Sequence, residues 1–102
     1  MAITKQVSEH NNKLTIHVED KFDFSLYQNF REAYSDFEPK GGQFILDLSK
    51  TTYMDSSALG MILLLKEHAE KFAAHVVISK PNDVVYKILE IAQFQKLMTI
   101  EH

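Results

Sequence analysis

The chain has 102 residues, a length that favours one domain over residues 1–102 with a single hydrophobic core. Apolar residues make up 45% of it and charged residues 25%, which is ordinary for a soluble globular protein. The formal net charge of −3, with scattered lysines, argues against nucleic-acid binding, which needs a basic face. The absence of cysteine excludes disulfides, thiolate metal sites and thiol catalysis.

No targeting or membrane segment is predicted. The first six residues lack the apolar core of a signal peptide. The longest apolar run, residues 58–65, is far shorter than the roughly 20 residues that a membrane-spanning helix needs. We therefore expect a soluble cytoplasmic protein without a membrane partner.

The chain begins with two weakly alternating segments, residues 3–9 and 13–19, which predict strands. Asn11 and Asn12 lie between them and tolerate the positive φ angles of a tight turn, so a β-hairpin is expected.

A first helix is predicted over residues 25–37, because apolar side chains recur there at helical spacing. Asp23 or Ser25 would cap its start. Pro39 and the glycine pair that follows it predict a turn after the helix.

A buried strand and a second helix follow, separated by a polar loop. Residues 43–48 predict a strand buried on both faces and interrupted only by Asp47, to which we assign no chemistry. The helix is predicted over residues 56–72, with one apolar stripe facing the core. The stripe comprises Leu59, Ile62, Leu63, the stem of Lys66 and Ala69.

Three more elements complete the prediction. Residues 75–79 read as a buried strand, a third helix starts at Pro81, and residues 97–100 form a short last strand. The order ββαβαβαβ predicts an α/β fold, with helices packed on a mixed sheet of four or five strands.

The loop between the strand over residues 43–48 and the second helix carries the candidate site. Asp55 is the expected N-cap of that helix, with Ser56 and Ser57 in its first turn. Helix starts present unpaired N–H groups and a partial positive charge, so they accept anions such as phosphate. A phosphate on Ser56 would add about −1.5 to −2 charges without destroying the helix, and a partner packed over it would meet an unsolvated charge. The structural alternative is that Asp-Ser-Ser is only a good helix cap.

These residues resemble a known family. Leu46-Asp-Leu48 followed by Met54-Asp-Ser-Ser-Ala-Leu-Gly60 is similar to the core of STAS domain proteins, in particular the single-domain anti-sigma factor antagonists. The resemblance implies a STAS-like fold, a phospho-acceptor at Ser56, and Asp23 as an interface residue in the loop before the first helix. It places Asp55, Ser57, Ala58, Leu59 and Gly60 in the phosphosite loop or at the partner interface. Two departures, Ala58 and Asp20 at positions where the family commonly has glycine, bear on partner choice more than on the fold.

The resemblance also implies a function. The unphosphorylated form would bind an anti-sigma factor that is also a GHKL-type serine kinase, and phosphorylation would release it. A PP2C-type phosphatase would restore the active form. ATP and its metal would belong to the kinase, so no cofactor is expected here, and the chain would be a monomeric binding protein and not an enzyme.

Alternatives remain open. The chain could serve a kinase and phosphatase pair that controls biofilm formation, motility or secretion without a sigma factor, or it could bind a nucleotide or other small ligand. The five histidines lack metal-ligand spacing. A hydrolase is disfavoured, because the Gly-x-Ser-x-Gly elbow is missing.

Overall fold

The computed structural model describes residues 2–10 and 12–102, and it shows a mixed α/β fold. The strands are β1 (Ile3–Ser8), β2 (Lys13–Val18), β3 (Asp20–Phe22), β4 (Gln43–Asp47), β5 (Thr51–Met54), β6 (His75–Ser79) and β7 (Thr99–Glu101). The α-helices are α1 (Tyr27–Tyr34), α2 (Ser56–Glu70) and α3 (Asp83–Ile91).

Five strands form the main sheet in the order β1-β2-β4-β6-β7. The hairpin pair β1–β2 is antiparallel and the other neighbours are parallel, which confirms the predicted mixed sheet. Asn12, in the predicted hairpin turn, has a φ of 53°. Asn11, the other residue of that turn, lies outside the described residues.

The core lies between the main sheet and the helices. Alternate residues of the central strands point into it, as the period of two in a strand requires. Its fully buried members include Leu14, Ile16, Phe44, Leu46, Ile62, Leu65 and Ile78. The prediction that β4 is buried on both faces is wrong, because Ile45 is only half-buried and Gln43 is exposed.

A second sheet of two strands, β3 and β5, was not predicted. The two are parallel, with Phe22 opposite Met54, and they lie outside the main sheet. Both are too short to show an alternation in the sequence. Asp20 adopts a left-handed φ of 61°, a conformation that Asp tolerates better than most residues.

The buried face of α2 differs from the predicted stripe. Ala58, Met61, Ile62, Leu65 and Ala69 are buried, whereas Leu63 is 39% exposed. The helix is apolar on more than one face, so periodicity alone could not identify the side that meets the sheet. Packing against the neighbouring elements decides it.

The helix and strand ends also required correction. A 3₁₀ turn over Phe24–Leu26 precedes α1, which ends at Tyr34 and not at residue 37. Pro81 precedes the N-cap of α3, which is Asn82. The last strand is shifted to Thr99–Glu101, because a 3₁₀ turn occupies Phe94–Lys96.

Candidate functional site

Asp55 joins β5 to α2 and caps the helix. Its backbone is extended, with φ −107° and ψ −175°, and its Oδ1 atom accepts a hydrogen bond of 3.1 Å from the Ala58 N–H. The Ser57 hydroxyl donates a second bond of 2.6 Å to the same oxygen. The bond from Ser57, followed by the backbone N–H donors, holds the pKa of Asp55 below its ordinary value. Asp55 is therefore ionised near neutral pH, as expected for an N-cap.

The two serines occupy different environments. Ser56 is the first residue of α2, and its side chain is exposed to solvent. Ser57 is half-buried, and its hydroxyl is held by Asp55. A modifying enzyme therefore has freer access to Ser56 than to Ser57.

Asp23 lies beside this helix start because of the strand pair β3–β5. Phe22 and Met54 are opposite each other, and the Asp55 N–H donates to the Phe22 carbonyl at 3.4 Å. Asp23 directly follows Phe22 and Asp55 directly follows Met54, so both residues lie at the same end of the β3–β5 sheet. The structure thus brings these two predicted site residues together. Asp23 caps the 3₁₀ turn, with its Oδ1 accepting from the Ser25 N–H at 3.0 Å.

The remaining predicted site residues divide between core and surface. Ala58 is fully buried, so its methyl group faces the core and is not exposed at the surface. Its N–H contributes to the cap of α2. Leu59 is half-buried and Gly60 is exposed. A Cβ atom added to Gly60 would meet no atom within 4 Å, so the helix surface is open there.

An apolar groove of about 350 Å³ lies next to Ser56. The β5–α2 junction forms one side of it and α3 the other. Its apolar lining includes Tyr53, Leu59, Ile88, Ile91 and Ala92. Tyr53 is 50% exposed and Ile91 is 72% exposed.

The sequence reasoning missed Tyr53 and Ile91 as site residues. A signal for the second of these exists in α3, where Val84, Ile88 and Ile91 form a second apolar stripe beside the buried Val85 and Leu89. One stripe is enough to attach a helix to a core, so a second indicates a further contact.

The 3₁₀ turn that precedes α1 contributes one exposed aromatic residue to the same end of the molecule. Phe24 is 67% exposed and its ring stacks on Tyr27 at 5.4 Å, whereas Phe22 and Phe30 are buried. Of the aromatic residues in this region, then, Phe24 is accessible and the other two phenylalanines belong to the core.

Other polar features lie away from Ser56. Burial raises the pKa of Asp47, but hydrogen bonds from Ser49 and the charges of His17 and Lys80 outweigh it, so the net pKa is lowered. His17 Nδ1 lies 3.2 Å from Asp47 Oδ2. Within residues 2–10 and 12–102, no group of three or more His, Cys, Asp or Glu residues is placed to hold a metal ion.

A larger cavity, of about 520 Å³, lies between α2, α3 and β7, and Ser56 is not part of its lining. Lys66 and Glu70 on its wall form an ion pair of 3.0 Å with each other. In the part of the chain that the structure describes, no helix has the length and apolar character to cross a membrane.

The mixed sheet with its packed helices is the fold of a STAS domain. The STAS domain family model matches residues 3–102, and the chain belongs to this family. It is 41% identical over 100 residues to the STAS-domain containing protein PA14_20770 of Pseudomonas aeruginosa strain UCBPP-PA14, covering 98% of this chain and 99% of that protein.

Solved structures show the same fold at low sequence identity. An anti-sigma factor antagonist from Mycobacterium paratuberculosis matches with a TM-score of 0.76 at 17% identity, over 97% of this chain and 85% of that one. The anti-sigma factor antagonist SpoIIAA matches in its unphosphorylated form with a TM-score of 0.75 at 19% identity, over 97% and 86% of the two chains. The phosphorylated form of Bacillus SpoIIAA matches with a TM-score of 0.74 at 18% identity, over 97% and 90%. The predicted class of fold is therefore confirmed.

Proposed function

We propose that this protein is an anti-sigma factor antagonist that is switched by phosphorylation of Ser56. One observation carries the proposal: Ser56 is exposed at the start of α2, on the wall of an apolar groove, beside the ionised cap Asp55. A hydroxyl in this position is accessible to a kinase, and a partner that fills the groove must cover it.

The unphosphorylated form binds its partner through this surface. The groove supplies apolar area, including half-exposed Tyr53 and largely exposed Ile91, and apolar area buried at an interface is a main source of affinity. Asp23 and Gly60 adjoin the phosphosite in the proposed interface. The partner is an anti-sigma factor or serine kinase of the GHKL type, and its binding frees a sigma factor.

Phosphorylation releases the partner and leaves the fold intact. The phosphate adds about −1.5 to −2 charges next to the Asp55 carboxylate, and burying these charges under an apolar partner is costly. The N-terminus of α2 meanwhile favours the phosphate, which protects the helix. The similarity of this chain to both forms of SpoIIAA supports a fold that tolerates the modification. A PP2C-type phosphatase completes the cycle.

The protein acts in the cytoplasm as a single-domain monomer and binding regulator, not as an enzyme. A kinase and phosphatase pair that controls biofilm formation, motility or secretion without a sigma factor would use the same surface, and the identity of the captured partner separates these outputs. Ligand binding in the larger cavity is the second alternative. Such binding would make the melting temperature of the protein rise as the nucleotide concentration increases, whereas the proposed switch requires no such effect.

Affinity capture from a lysate of the native host tests the proposal. Wild type, Ser56→Ala and Ser56→Asp serve as baits, and Ser35→Asp is the matched control that adds the same charge at an exposed serine at the end of α1. We expect wild type, Ser56→Ala and Ser35→Asp to retain a serine kinase or anti-sigma factor that Ser56→Asp loses. Equal capture by all four baits, with Ser56 unmodified in the native protein, would show that Asp-Ser-Ser is only a helix cap.

A further inference from the structure

The strand that delivers Ser56 is held by few main-sheet contacts. β5 pairs with the three-residue strand β3 and not with any strand of the five-stranded sheet. Its position relative to α3, and with it the width of the groove, therefore depends on packing against α3 and on hydrogen bonds outside the main sheet. Thr51, at the start of β5, supplies them.

Thr51 is a fully buried polar residue, and both of its polar ends are bonded across the fold. Its hydroxyl donates to the Val18 carbonyl at the end of β2 at 2.7 Å. Its own carbonyl accepts a bond of 3.0 Å from Nδ2 of Asn82. This chain of hydrogen bonds links the main sheet to β5 and β5 to the start of α3.

Asn82 performs two tasks with one amide group. Oδ1 accepts the Val85 N–H at 2.8 Å and so caps α3, while Nδ2 donates to the Thr51 carbonyl. Aspartate would cap a helix equally well, but an ionised carboxylate has no hydrogen to donate. Capping alone thus does not require asparagine here, whereas the bond to β5 does.

We propose that Asn82 is a positioning residue for the Ser56 site. Its side chain sets the distance between α3, which carries Ile88 and Ile91, and the strand that presents Asp55 and Ser56. Without the Nδ2–H donor, α3 keeps its cap but loses its hydrogen bond to β5. The separation of α3 and β5, and with it the width of the groove that a kinase must bind, is then less tightly constrained. This inference rests on the proposed function for its kinetic consequence, but not for its structural one.

The test compares wild type with the double variant Asn82→Asp/Asp83→Asn. The swap preserves net charge and the cap on Val85, replaces the donor to Thr51 by a carboxylate oxygen that repels the Thr51 carbonyl, and moves one negative charge from residue 83 to residue 82. Asn82→Ser is a second variant that keeps a capping hydroxyl on a shorter side chain. Each full-length protein is labelled with ¹⁵N, its amide chemical shifts are assigned, and its thermal unfolding is recorded. Each is then phosphorylated by host lysate with radiolabelled ATP over a range of protein concentrations.

We expect the swap to move the amide resonances of residues 53–57 while the Val85 amide stays protected from exchange. The apparent KM for phosphorylation of Ser56 should rise roughly two- to ten-fold, the range that one lost hydrogen bond covers, with kcat unchanged because the acceptor hydroxyl is untouched. Unshifted resonances together with an unchanged KM would overturn the inference and leave Asn82 as a helix cap only. If wild-type Ser56 takes up no phosphate, the proposed function fails, and the resonances of residues 53–57 alone decide the role of Asn82.

Discussion

Ser57 donates a hydrogen bond of 2.6 Å to the Asp55 carboxylate, and this bond gives the two adjacent serines different roles. Ser57 is engaged in holding the cap of α2, whereas Ser56 is exposed. The pair thus combines a structural hydroxyl and a chemically available one in consecutive positions. Substitutions can separate the two roles.

Ser57→Ala should destabilise the protein more than Ser56→Ala. The first removes a bond to an ionised, partly buried acceptor, which costs about 1 kcal/mol, and the second alters an exposed helix position, for which about 0.5 kcal/mol or less is expected. Urea denaturation followed by circular dichroism measures both. Equal losses would contradict the division of roles.

The stability of the protein should depend on Asp55 in acid. Because its folded pKa is lowered, Asp55 contributes stability that is complete above the unfolded value near 3.9 and is lost as the pH falls through the folded pKa. The melting temperature of wild type should therefore exceed that of Asp55→Asn by more at pH 7 than at pH 3.

Asp47→Asn is the control for this acid titration, since the pKa of Asp47 is also lowered but by groups distant from Ser56. In the double variant Asp47→Asn/Asp55→Asn, the pH-dependent losses of melting temperature of the two single variants should add. If the difference in melting temperature between wild type and Asp55→Asn is the same at pH 7 and pH 3, the stabilising role of the ionised cap is ruled out.

Gly60→Ala should stabilise the isolated protein and weaken the complex. An added Cβ meets no atom within 4 Å, and alanine in a helix is favoured over glycine by roughly 0.5–1 kcal/mol. If Gly60 lies in the interface, the same methyl group obstructs a closely packed partner. Thermal unfolding and lysate capture measure the two effects, and a variant with raised stability and undiminished capture would place Gly60 outside the interface.

Ile91→Gln should reduce partner capture roughly ten-fold or more while changing the free energy of unfolding by about 0.5 kcal/mol or less. Ile91 is 72% exposed, so little of its side chain supports the core. Leu64→Gln is the matched control, because Leu64 is a 41% exposed apolar residue on α2 that lines a different surface depression beside α1. Similar losses of capture from both variants would indicate a general effect of surface polarity and not a specific groove.

Local residue patterns were sufficient to predict most of the helices and strands and the N-cap of α2. The β1–β2 hairpin and strand β6 were predicted from apolar periodicity, and Asp55 was predicted as the N-cap from its position before a helical run. These features depend on neighbours in the chain, which is why a single sequence reveals them. The role of Ser56 as a phospho-acceptor is still a proposal.

The groove and its supports could not be predicted in the same way. Strands β3 and β5 are too short to show a pattern, and their pairing brings Asp23 next to Asp55 across 32 positions of the chain. Ile91 and Tyr53 line one groove only because α3 packs against β5.

The amino-acid sequence by itself determined the class of fold, the positions of most strands and the capped start of α2, because spacing and capping act between residues within a few positions of one another. Only the tertiary structure decided which face of α2 is buried, that Ala58 belongs to the core, and that Asn82 bonds to Thr51 at a separation of 31 residues. The physical reason is that burial and long-range hydrogen bonds depend on how complete elements pack, and no local pattern specifies that arrangement.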